Sequence, residues 1–171
     1  MIPFEQIRQV MVEGLTAHLG VPVIEIDGKG KVPPYPFMTY HFVDEGSPSG
    51  HMAVQVVGDK LIQSGTVSLS VSFQSYARSR LESVNQANRA RDWFETDGHW
   101  LLKDKAGTVV VEVGSSQNHD LRIGNEWERR NGFEVELRTT NMIEQDLQPI
   151  DTADVRGDGT DGERRKSNHR H

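Results

Sequence analysis

Cysteine is absent from the 171 residues. That excludes disulfides, thiolate metal sites and a cysteine nucleophile, and it is compatible with a reducing compartment. No apolar run approaches the ~20 residues of a membrane-spanning helix. The first helical pattern carries Glu5, Arg8 and Glu13 among its apolar residues, so it lacks the uninterrupted apolar core of a secretory signal. There is no N-x-S/T acceptor for glycosylation. Positive charge is not in excess. Nineteen Lys and Arg stand against 25 Asp and Glu, a net charge of -6, so no bulk basic field draws the chain to DNA or to anionic lipid. These absences read as a protein of cytoplasmic type with no membrane partner. The G-x-x-x-x-G-K-[ST] frame of a phosphate loop is missing around Gly28, Lys29 and Gly30. Seven histidines are scattered, with no H-x-x-x-H or H-x-H spacing before His169 and His171. No metal and no cofactor are expected.

What is present is periodicity. Residues 65–74 alternate, with Val67, Leu69, Val71 and Phe73 on one side and Ser68, Ser70, Ser72 and Gln74 on the other, which predicts a half-buried strand of an antiparallel sheet. At Ser79 the period becomes helical. Leu81, Val84, Ala87, Ala90 and Phe94 mark the buried stripe, and Glu82, Asn85, Arg89 and Asp92 the wet one. A strand feeding an amphipathic helix predicts a sheet covered by a helix. Residues 3–19 predict another helix, lined by Phe4, Ile7, Met11, Leu15 and Leu19 and stopped at Gly20. Residues 21–26 and 37–43 predict strands. The latter is bulky on both faces, as if covered on both sides, by its own fold or by another subunit. Residues 44–50 read as a polar turn, and 52–63 as an exposed hairpin across Gly58 and Asp59. Val109, Val111 and Val113 mark a further strand. Phe133, Val135 and Leu137 mark the inner face of the last one, with Glu134, Glu136 and Arg138 outside. Beyond Asn141 the pattern fades. A domain over residues 1–147 is expected, followed over 148–171 by a disordered or extended arm, flexible or docked on a partner.

Two clusters hold chemistry-bearing side chains. Ser115, Ser116, His119 and Asp120 have serine-hydrolase residue types, without a nucleophile-elbow frame around either serine. A polar connection is the simpler reading, so no catalytic residue is assigned. A small hydrolase using His119 and Asp120 stays as the least favoured alternative. Asp120, Arg122, Glu126, Glu128, Arg129 and Arg130 are the densest charges, with Trp127 among them. They read either as a solvated loop with modest ion pairs or as a charged interface, since Trp and Arg concentrate in interfaces. In the tail, Asp154, Asp158, Asp161 and Glu163 lack the frame of a calcium loop, Arg156-Gly157-Asp158 reads as a chance tripeptide, and Arg164-Arg165-Lys166 is a short basic cluster.

Several segments, in order, carry a resemblance: Pro34-Tyr35-Pro36-Phe37-Met38-Thr39-Tyr40, Phe73-Gln74-Ser75-Tyr76, the Ala-Arg-Asp-Trp-Phe ending at Phe94, Val109-Val110-Val111, and Glu126-Trp127-Glu128-Arg129-Arg130-Asn131-Gly132-Phe133. Over roughly residues 1–145 the chain resembles the bacteriophage neck or tail terminator (tail-completion) proteins. The resemblance implies an α+β fold, a mostly antiparallel sheet with helices packed against it. It implies a homohexameric ring in the virion, assembled in the host cytoplasm at the head-proximal end of the tail tube. The ring would stop tube growth, join tail to head, and let DNA pass through its lumen unbound. Its partners would be the tail tube protein, the head completion or connector protein and, for a contractile tail, the sheath. A head-side neck adaptor is the runner-up. Subunit or partner contacts are expected at Tyr35, Phe37 and Tyr40, or at the 52–63 hairpin, on one side. On the other side they are expected at Arg122, Glu126, Trp127, Arg129 and Arg130.

Overall fold

The structure is a computed structural model that describes residues 1–27 and 29–148. The arm expected from residue 148 onward lies, from residue 149, outside the described residues, together with the acidic, Arg-Gly-Asp and basic motifs of the tail. The fold is α+β, as expected. Helix α1 (Phe4–Leu19) leads to strand β1 (Val23–Glu25), then β2 (Phe37–Val57) and β3 (Lys60–Ala77) form a long hairpin. Helices α2 (Arg80–Glu95) and α3 (Asp97–Ala106) follow, then β4 (Val109–Val113), β5 (Gln117–Asn118), β6 (Leu121–Ile123) and β7 (Glu126–Asp146). The sheet order is β1-β2-β3-β7-β4, with β5 and β6 also pairing β7. All pairs are antiparallel except β1 with β2.

The strand predicted from the Val67–Phe73 alternation is the sheet's middle strand, β3. Its inner residues meet their register partners on both sides. Tyr40, Phe73 and Phe133 lie side by side, then Phe42, Val71 and Val135, with Leu69 beside Leu137. Helices α1, α2 and α3 cover this face, and Ile7, Met11, Leu15, Ala87, Ala90, Phe94 and Leu102 complete the core. Burying each large apolar side chain here contributes roughly 1.5–3 kcal/mol.

Four expectations are corrected. First, residues 44–50 are not a turn but part of β2. Gly46, Pro48 and Gly50 resemble turn chemistry, yet the strand absorbs them through register shifts at Phe42/Asp44, Asp44/Ser47 and Ser49/Ala53. The expected hairpin across Gly58 and Asp59 is the tip of this longer one, and Gly58 supplies the positive φ (62°) that a two-residue turn with Gly first requires. Second, the stripe of α2 is rotated. Leu81 is exposed, whereas Ser83 and Gln86 are buried. Their polarity is satisfied inside. Ser75 Oγ donates to the Ser83 carbonyl at 2.9 Å, Asn131 Nδ2 donates to Ser83 Oγ at 2.8 Å, and Gln86 Nε2 donates to the Phe37 carbonyl at 2.7 Å. Third, the sequence reads as a helix ending over residues 95–98 and a turn over 103–107, whereas residues 97–106 form α3, with the stop at Gly107 in the left-handed conformation. Fourth, β7 neither begins at Phe133 nor ends at Asn141. It runs for 21 residues.

The Ser75–Ser83–Asn131 cluster ties the first turn of α2 to β3 and β7. Replacing Asn131 by Ala removes the bond from Nδ2 to Ser83 Oγ, while the Asn131 backbone still serves Ser75 and Ser83 Oγ keeps Ser75 Oγ at 3.0 Å. The expected cost is that of one buried hydrogen bond, about 0.5–1.5 kcal/mol, read as a lower urea midpoint with an unchanged slope.

Candidate assembly surfaces

Tyr35, Phe37 and Arg130 gather on the face of the sheet opposite the helices, at the end where β7 begins, while alternation along β7 turns Trp127 and Arg129 to the other side. Hairpin β6–β7 turns at Gly124, with φ 63°. Phe37, Tyr76 and Arg130 are neighbours across β2, β3 and β7. The rings of Phe37 and Tyr76 stack at 4.7 Å between centroids, Tyr35 stacks on Phe37 at 5.7 Å, and the Arg130 guanidinium lies 5.0 Å from the Tyr76 ring centre. Arg130 pairs with the Glu128 carboxylate, which also accepts from the Tyr35 hydroxyl. That hydrogen bond, ahead of burial, raises the Tyr35 pKa above its ordinary value. The stack explains why the bulk at Phe37 is covered on this side too: Phe37 is 3% exposed, and its cover comes from its own chain.

Beside this stack, Trp127 is half-exposed and sits 5.4 Å from the Arg129 guanidinium. Arg129 donates to Asp120 Oδ2 at 2.8 Å, and the Arg130 N–H donates to Asp120 Oδ1 at 2.8 Å. Burial by itself pushes the Asp120 carboxyl up. The bonds from Arg129 and the Arg130 N–H outweigh it and hold the carboxyl below its ordinary 3.8. Tyr35, Arg78, Ile123, Glu126, Trp127 and Arg129 line an open groove of ≈ 690 Å³.

The structure therefore brings together Tyr35, Phe37, Glu126, Trp127, Arg129 and Arg130. Arg122 lies across from Trp127 on β6, exposed, bonded to the Gly124 carbonyl. Tyr40 is elsewhere. It is on the helix-covered face, 1% exposed, and its hydroxyl accepts from Arg8 Nε at 2.8 Å. Burial raises its pKa. The signal that could have separated it from Phe37 is strand alternation, which puts residues 37 and 40 on opposite faces. Tyr76 was missed as a member of the stack because it looked like the end of its strand.

The polar segment 115–120 does not assemble a relay. His119 Nδ1 meets Gln74 Oε1 at 3.1 Å, over Gly132, where a Cβ would collide with the imidazole. Asp120 serves Arg129 and Arg130. Ser116 Oγ is buried without a partner among the described residues.

The low Asp120 pKa stabilises the fold above the ordinary carboxylate value, and that contribution is lost as pH falls through the folded-state pKa. The protection factor of the Arg130 amide, its exchange taken relative to the unfolded chain at the same pH, should therefore fall below about pH 4. In Asp120→Asn, the step in protection with pH should vanish.

A second surface lies further along the same face. Asp44, Glu112, Glu134 and Glu136 surround Ser68 and Ser70 in an open groove of ≈ 370 Å³. Glu112 and Glu136 are direct cross-strand partners. Like charges so placed destabilise a sheet. Among the described residues, no group of three His, Asp or Glu side chains is arranged to hold a metal ion. No described helix is long and apolar enough to cross a membrane.

A family model described as phage neck terminator protein matches residues 5–163. The chain belongs to that family, which makes it a structural protein of the phage virion that works among other head and tail proteins. None of the curated proteins compared with it matches.

Proposed function

We propose that this chain forms a closed ring at the head-proximal end of the tail tube, a hexamer by the family resemblance. There it ends tube growth and presents the joint to the head while DNA passes through its lumen. The observation that carries this reading is the outer sheet face. A sheet covered by helices on one side can line a channel only with the other. That face is a row of small hydroxyls, Ser68, Ser70 and Ser72, beside Asp44, Glu112, Glu134 and Glu136, with Arg138 opposite Ser68. A hydroxylated wall with acids in excess repels phosphates and gives DNA little to hold. The Glu112–Glu136 juxtaposition costs stability and fits a surface kept for its charge.

Two candidate patches sit at opposite ends of β7. The Trp127–Arg130 cluster is at its start, and the Gly58–Asp59 tip lies beside its end at Asp146. Sixteen residues separate Arg130 from Asp146, roughly 50 Å of strand. That span supports separate contacts toward tube and head. The 1–147 domain with a 148–171 arm belongs to the same proposal, the arm being a segment free to dock on either partner.

Particles assembled without this protein test the reading. A terminator leaves abnormal, often overlong tails beside intact, filled heads. A head-side adaptor, the runner-up, leaves normal tails beside leaking heads, and that outcome would replace the proposal.

A further inference from the structure

Past Val67, nothing on β3 is buried, so residues 60–66 and their partners on β2 and β7 form a three-stranded arm beyond the helices, roughly 20 Å long. β1 covers β2 only at Met38, Thr39 and Tyr40, and β4 covers β7 only from Val135 to Arg138. Both outer strands of the arm therefore lack a further strand partner among the described residues. The Met1 ammonium touches the β7 side, at the Met142 carbonyl.

Native sheets guard such edges with charge, proline and bulges. Here each edge has a stretch without such guards. Pro48 and three register shifts lie within residues 42–53, whereas Val54, Gln55, Val56 and Val57 carry no charge, no proline and no bulge. Thr140, Asn141, Met142 and Ile143 on the other edge are likewise uncharged and pair β3 without a register shift, and charge returns there at Glu144 and Asp146. The apolar side chains match across the two edges. Val54 and Val56 share the helix-side face with Ile143, and Val57 shares the opposite face with Met142. Val54 is 62% exposed and Val56 61%.

We infer that the free edge of β2 over residues 53–57 pairs with the free edge of β7 over residues 140–144 of a second copy of this chain. Both strands run antiparallel to β3, so they run in the same direction, and the joint is a parallel pairing. The contact is heterologous, because one copy gives β2 and the next gives β7. Repetition can close into a ring and leave no edge open. A single foreign strand would cover one edge and leave the other. Edge-to-edge closure also turns the serine-rich acidic face toward one side of the ring, away from the helices. This inference rests on the ring proposed above.

The absence of cysteine makes the test clean. Gln55→Cys is combined in turn with Thr140→Cys, Met142→Cys or Glu144→Cys, in the full chain, and oxidised both as purified protein and in particles. Within one copy, these edges are separated by β3, about 10 Å apart, beyond the ~7 Å reach of a disulfide. One pair is expected to give a covalent ladder of this chain that ends at the ring. In the two-residue hairpin, Val57 pairs Lys60 next to the turn, so the Val56 N–H points to the free edge. Val56→Pro should therefore keep the melting temperature of the protomer while abolishing the ladder and the ring. Three results overturn the inference and leave the ring standing: no ladder from any pair in a sample of ring mass, a cross-link to a different protein of the particle, or a ring unaffected by Val56→Pro. A dimer from Gln55→Cys alone would show β2 pairing with itself and also overturn it. A single protomer in both purified protein and particles would overturn the ring as well.

Discussion

Replacing Trp93 with alanine is expected to cost about 3–5 kcal/mol, a large part of the ~5–15 kcal/mol that holds a domain together. Trp93 joins the three helices. Its indole is 2% exposed and stands edge-on to Phe94 at 4.9 Å. It fits because two helices carry glycine where they meet it. A Cβ at Gly98 of α3 would lie 2.5 Å from Trp93 Cε3, and a Cβ at Gly14 of α1 would fall within the ring's contact envelope. Glycine inside a helix ordinarily costs about 1 kcal/mol relative to alanine. Gly14→Ala should nonetheless destabilise this protein by about 1–3 kcal/mol, because overpacking outweighs propensity. In the Trp93→Ala background the sign should reverse, with Gly14→Ala filling space and regaining propensity. A double-mutant cycle by denaturant melting measures both. An unchanged penalty for Gly14→Ala after removal of the indole would refute the fit.

Phe73→Ala should cost as much, about 3–5 kcal/mol, through different contacts. Phe73 is the middle of the middle strand and is fully buried. It stacks on Phe133 at 5.4 Å, meets Phe94 at 5.0 Å and lies 6.3 Å from Tyr40. Its removal loosens both neighbouring strands and α2 together. Loss should therefore be cooperative, seen as a single melting transition at lower temperature. A transition that split into two would mean that helices and sheet are less coupled than this packing implies. Phe73→Leu should recover part of the loss, since it refills volume but not the ring contacts.

Phe73 also shows how much the sequence discloses. Its strand was legible because the alternation from Val67 to Phe73 has no competing period, and α1 was legible because Ile7, Met11, Leu15 and Leu19 hold the helical spacing. Phe133, Val135 and Leu137 were read correctly on the same ground. The rest failed where tertiary context overrides local chemistry. Leu81 was placed inside and Ser83 was left off the buried stripe, because a hydroxyl gives no sign of burial until its partners Ser75 and Asn131 are known. Helix α3 was hidden by Gly98, which marks a close approach to Trp93 and not a break. The middle of β2 was hidden by Gly46, Pro48 and Gly50. Of the candidate interface, the charged cluster and Tyr35 were legible as a composition of Trp, Arg and aromatic residues. Their joining through Glu128 and Tyr76, and the turning of Tyr40 into the core, depend on register and could not be read from spacing alone.

The role of this chain depends on where it stands in the particle. A reconstruction of the neck measures that directly. The prediction is a closed ring of this chain seated on the last ring of the tail tube, below the head connector, with Glu134 and Glu136 facing the channel. A channel lined mainly by Lys and Arg, or copies of this chain bound only on the head side with the tube ending without them, would contradict it.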